Sequence, residues 1–157
     1  MPAIQESVAE SFAYRDFPSF SEGETIFKLA VADYAAARLL PKLRARGARH
    51  RSANRYTGLG TRLADSAIYL QGILTNDTEW GGLGFDFARL VHTADARYDL
   101  SIRSREDWRT AETWSVAEAT QAFAEREVSP RSTDWVQIAG DRTFEECVEL
   151  LAEAAGF

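Results

Sequence analysis

Eight cationic side chains, Arg38, Lys42, Arg44, Arg46, Arg49, Arg51, Arg55 and Arg62, fall between Asp33 and Asp65 with no carboxylate among them. The window 34–64 therefore carries +8, whereas the whole chain carries −6. Sign segregation of this kind makes one local cationic surface on an acidic body, the footprint of an anionic partner. Arginine suits that task because its planar fork matches phosphate or carboxylate, where lysine offers only a point charge. Only Lys28 and Lys42 are lysines; a GC-rich genome accounts for that choice of cation but not for the clustering.

The anion-binding set expected from the sequence is Arg44, Arg46, Arg49, Arg51, Arg55, Tyr56, Gly58, Gly60 and Arg62. Gly58-x-Gly60 reads as a turn running into a helix that begins near Thr61. Free N–H groups and a partial positive charge at such an N-terminus attract anions. Tyr56 offers a ring on which a base could stack. The pattern is neither of the familiar phosphate-binding glycine motifs, since no Gly-Lys-Ser/Thr follows and Leu63 stands where a third glycine belongs. The competing reading is a solvated loop, or arginines tied to acidic faces of their own fold.

Catalytic groups are sparse. His50 and His92 are the only histidines and Cys147 the only cysteine, so no histidine- or cysteine-rich zinc set is available. Cys147 reads as a small core residue, and no Gly-x-Ser-x-Gly elbow is present. Glu145, Glu146, Glu149 and Glu153 read as the solvated face of a last helix. No cofactor is expected. Trp80, beside a glycine run, is the tryptophan best suited to anchor an interface.

The elements that must position these groups follow from periodicity. The 157 residues, 45% of them hydrophobic, predict a single globular domain over 1–157. The fold class expected is α+β, with about five helices, a β-hairpin over about 84–103 and a short strand over about 134–138. Ile4, Val8 and Phe12 recur at helical spacing. Ser21 and Glu24 form a capping-box pattern opening an apolar helix, 24–40, which Pro41 ends or kinks. Leu63, Ala67, Leu70 and Leu74 make the stripe of the helix from Thr61. Phe85–His92 and Tyr98–Arg103 alternate as strands, the first with a helical alternative, and Trp135–Ile138 makes the short strand. Ser104/Asp107, Ser115/Glu118 and Thr143/Glu146 cap three further helices.

No apolar run approaches the roughly 20 residues of a membrane helix, and no secretory leader is seen at the N-terminus. With one cysteine, a cytoplasmic protein without membrane contact is expected. The acidic remainder does not forbid an anionic partner. Opposite faces of a chain this size lie some ~30–40 Å apart, against a screening length of about 8 Å. The leading expectation is a non-enzymatic binding protein whose segment 42–62 engages nucleic acid or an acidic protein surface. Neutralising about four duplex phosphates would give a log–log salt slope near −3.6. The alternatives are an assembly subunit that self-associates as a homo-oligomer through helix 24–40, and a small enzyme on a phosphorylated or nucleotide substrate with His50 as acid–base.

Overall fold

The computed structural model describes residues 22–64, 66–76, 82–128 and 135–156. The element order is α1 (Glu22–Arg49), β1 (Arg55–Ala64), β2 (Ala67–Thr75), β3 (Leu83–Ala94), β4 (Arg97–Arg103), α2 (Arg105–Thr113), α3 (Val116–Val128), β5 (Trp135–Arg142) and α4 (Phe144–Ala154). The class is α+β, with four helices among the described residues rather than about five. The strands form one antiparallel sheet in the order β1-β2-β3-β4-β5. The first helix expected from Ile4, Val8 and Phe12, the Ser21/Glu24 cap and Trp80 lie outside the described residues. No described helix is long and apolar enough to cross a membrane.

Helix α1 continues past Pro41 and does not end there. Pro41 lies inside it and is exposed, while Leu39 and Leu43 on either side are fully buried. An interior proline costs about 3 kcal/mol, and each buried leucine returns roughly 1.5–3 kcal/mol, so two flanking leucines hold the helix through. Apolar residues lie on more than one face of the helix, but only one face is buried. Phe27, Val31, Tyr34, Ala35, Leu39 and Leu43 form one buried stripe at spacings of three and four, while Ile26 and Leu29 face outward, 51% and 60% exposed. The buried stripe covers β1, and Tyr34 meets Phe144 of α4 with ring centroids 5.4 Å apart.

The larger correction concerns residues 61–74, which form most of the β1–β2 hairpin and not a helix. Leu70 and Leu74 are in phase with a period of two as well as with 3.6, so that pair cannot choose between them. The residues between them choose. Ile68, Leu70, Gly72 and Leu74 are buried while Tyr69, Gln71, Ile73 and Thr75 are half-exposed. Ala64 pairs with Ala67 at the hairpin end, where Ser66 takes a left-handed φ of 62°. Gly72 is required where it stands, because a Cβ there would lie 2.9 Å from Tyr56 Cε1.

The hairpin β3–β4 and the strand β5 form where the sequence places them, β5 extending to Arg142. The Phe85–His92 segment is strand. Three caps also form: Ser104 accepts from the Asp107 N–H at 3.2 Å, Ser115 from the Glu118 N–H at 3.2 Å, and Thr143 and Glu146 complete a reciprocal box. The core lies between the sheet and its helices. There Trp108 meets Phe85 and Phe87 edge-on, and Phe123 stacks on Phe85. Asp107, 1% exposed, pairs with Arg103 of β4 and Arg126 of α3, tying both helices to the sheet.

Candidate anion-binding site

The basic segment straddles the end of α1 and the start of β1, and the way that helix stops decides where its cations go. His50 N–H donates to Arg46 O at 3.0 Å, Arg51 N–H to Ala48 O at 3.2 Å and Ser52 N–H to Gly47 O at 2.9 Å. This six-to-one plus five-to-two pattern requires a left-handed residue just past the helix. Arg51 fills that position at φ 53°. Glycine is the usual occupant, and a side-chain-bearing residue there costs about 1 kcal/mol.

Beyond the turn, Asn54 anchors the chain. It is fully buried. Its side-chain nitrogen donates to Ala111 O (2.7 Å) and Trp114 O (2.6 Å), its backbone N–H donates to Glu112 O (3.0 Å), and its Oδ1 accepts from Asn76 (3.1 Å). The loop between α1 and β1 is thereby fastened to the C-terminal end of α2.

A cavity of about 330 Å³ opens over this anchor. Arg44, Arg51 and Arg55 line it, with Ser52 and Asn54 between them and Gly47, Ala48 and Tyr56 as wall. None of these is a carboxylate, histidine or cysteine. The Nε of Arg44 donates to Tyr56 O at 3.1 Å, which fixes the plane of the fork and directs hydrogen bonding to its terminal nitrogens. Ser52 Oγ is shut off from solvent and has no hydrogen-bond partner among the described residues. The cation cluster is more than the helix end requires. A helix C-terminus carries only about −0.5 charge, whereas three guanidiniums stand here.

The remaining expected site residues go elsewhere. Arg46 is 5% exposed and points into the fold, where its Nε donates to Glu112 Oε2 at 3.0 Å and its guanidinium lies over Trp108 at 5.0 Å. Tyr56 is 3% exposed and donates its hydroxyl to the same Glu112 oxygen at 2.6 Å. Burial, then the adjacent carboxylate, push the Tyr56 phenol well above its ordinary value. With its ring in the core, Tyr56 cannot stack a base. Arg62 pairs with Asp86 Oδ2 at 2.6 Å, beside Gln71 on Oδ1, and lies over Tyr69 at 4.1 Å. Arg49 donates to Gly156 O at 2.7 Å, tying the helix end to the C-terminal end of α4, and touches His50. Gly58 and Gly60 lie within β1 opposite Ile73 and Gln71. No helix follows them, so the N-terminal anion site expected there does not exist.

Sequence reasoning missed Glu112 and Asp86, and left Asn54 and Ser52 out of the anion-binding set. Alternation sets Asp86 on the strand face opposite Phe85 and Phe87, and no stripe read from the sequence includes Glu112, so the burial of both carboxylates came from the fold. Asn54 and Ser52 carried no signal beyond their turn-forming type. Cys147 is buried as expected, and burial pushes its thiol up to about 12. His92 sits on β3, its ring edge-on to Tyr98 with centroids 5.8 Å apart. Among the described residues no cluster of three or more His, Cys, Asp or Glu side chains could hold a metal ion. In comparisons with protein-family models, curated proteins and solved structures, the chain matches none of them.

Proposed function

We propose that this protein is a non-enzymatic binding protein that engages an anionic macromolecule, nucleic acid or an acidic protein surface, through Arg44, Arg51 and Arg55. The observation that supports the reading is that these three arginines line one cavity whose described lining contains no carboxylate. Arg46 and Arg62 drop out of the contact set because Glu112 and Asp86 hold them. The small-enzyme alternative needs His50 among the arginines; His50 stands outside the lining, so binding without chemistry is the better reading.

The test uses a labelled single-stranded oligonucleotide and a polyglutamate peptide as probes, with binding followed by anisotropy. Arg44→Glu and Arg55→Glu are each expected to weaken the preferred probe at least tenfold. Arg142→Glu, on the exposed edge strand, is expected to leave it unchanged. Equal affinity across all three variants would remove the site. Exposed Ile26 and Leu29 on α1 favour a second reading, self-association. Light scattering on Ile26→Glu/Leu29→Glu beside the parent chain decides it, and a monomeric parent at high concentration would discard it.

A further inference from the structure

The outward side of α1 carries a stripe at spacings of three and four: Ile26, Leu29, Asp33, Ala37, Leu40 and Arg44. Leu29 is the most exposed large apolar side chain among the described residues, and Ile26 follows it. Asp33, Ala37 and Arg44 are exposed as well, and Leu40 is half-buried. The opposite side of the helix is the one that packs on β1. A contiguous apolar face with charges set into it marks a contact with another molecule.

Two charges say which molecule. Asp33 and Arg44 are the ionisable members of the stripe, roughly 16 Å apart along the axis at about 1.5 Å per residue, and they stand evenly about Ala37 and Leu40. Tyr56 O accepts from the Arg44 Nε at 3.1 Å, which fixes the plane of the fork. A second copy laid parallel would set Asp33 on Asp33 and Arg44 on Arg44. Turned end for end about a two-fold axis, it sets Asp33 of each copy against Arg44 of the other, with the helix dipoles opposed. The same register lays Leu40 on Ala37, and Leu29 on Gly47 and Ala48, so that large meets small at each step. Gly47 and Ala48 also wall the cavity of about 330 Å³, and Leu29 of the second copy arrives at its rim. A two-fold contact requires a surface complementary to itself, and the stripe meets that condition. A polyanion or an unrelated acidic surface would meet Asp33 as a like charge.

Building on the self-association reading, we propose that the outward face of α1 docks on the same face of a second copy. The two helices run antiparallel about an axis level with Ala37 and Leu40, and reciprocal Asp33–Arg44 pairs set the register.

Analytical ultracentrifugation of the full chain over a range of concentrations tests this with charge reversals at exposed positions, circular dichroism confirming that each variant keeps the parent's fold. Asp33→Lys and Arg44→Glu each place two like-charged pairs in the contact. Each is expected to weaken self-association about tenfold, from two lost attractions and two added repulsions between exposed charges. Equimolar mixing of the two variants sets the new lysine against the new glutamate and Arg44 against Asp33. The mixture, and likewise the double variant, is expected to recover association to within about threefold of the parent, the signature of direct coupling between the two positions. Single reversals that associate as tightly as the parent, or a mixture as weak as its components, would overturn the antiparallel docking and leave self-association standing. A parent that is monomeric at every concentration would end both, with no bearing on anion binding.

Discussion

Glu112 does more for the architecture of the site than any arginine around it. One of its oxygens accepts from Arg46 and from the Tyr56 hydroxyl, so a single carboxylate ties α1, β1 and α2 together beneath the cavity. Removing it takes the carboxylate from a guanidinium that is 5% exposed and from an enclosed phenol. Glu112→Ala is expected to destabilise the fold by about 3–5 kcal/mol, the range for breaking a buried pair from one side, as read from urea denaturation. Tyr56→Phe removes one hydrogen bond and leaves the ion pair, so it is expected to cost no more than about 1–2 kcal/mol. Equal effects of the two would mean that Glu112 acts through Tyr56 alone.

Two elements meet at close range where β1 crosses β2. Gly72 lets the Tyr56 ring lie against the β2 backbone, and an added Cβ would sit 2.9 Å from Cε1 and 3.1 Å from Cδ1. Gly72→Ala is expected to lower the urea midpoint by an amount worth about 1–3 kcal/mol, as overpacked sites do, with an unchanged denaturant slope. At α4 the reciprocal cap supplies a pH signature. The Thr143 backbone N–H and then its hydroxyl bond to Glu146 and hold its carboxyl below the ordinary value. A depressed folded-state pKa contributes stability above the unfolded value and loses it as pH falls through the folded one. Glu146→Gln keeps the hydrogen bonds but not the titration. Its stability relative to the parent is therefore expected to recover as pH falls from the ordinary glutamate value of about 4.3 through the lower value of the folded state. A stability difference independent of pH between pH 3 and about pH 7 would contradict this.

The whole molecule keeps an acidic average and one cationic mouth. Of the eight cations in the 34–64 window, Arg46 and Arg62 are matched by carboxylates inside the fold, and three line the cavity. Three contacts to a single-stranded polyanion give a log–log salt slope of about −2, shallower than the −3.6 that four duplex contacts would produce. Binding measured between low and physiological salt checks this. A flat line would mean that the arginines do not meet phosphate. A slope near about −4 would mean that more than five cations take part.

Legibility followed the range of the interactions. Segments whose fate is set within a few residues could be read directly: the caps at Ser104, Ser115 and Thr143, the β3–β4 hairpin, the strand at Trp135, and the clustering of arginines between Asp33 and Asp65. Three outcomes needed the fold. Residues 61–74 became a hairpin because a neighbouring strand supplied hydrogen bonds that an i, i+4 leucine pattern does not forbid. Helix α1 passed Pro41 because leucines on both sides found a sheet to cover. Arg46 and Arg62 were drawn away from the cavity that Arg44, Arg51 and Arg55 line because Glu112 and Asp86, 66 residues beyond Arg46 and 24 beyond Arg62, arrive only when the chain closes. A sequence lists charges in order along one dimension, and which of them neutralise one another is decided by distance in three.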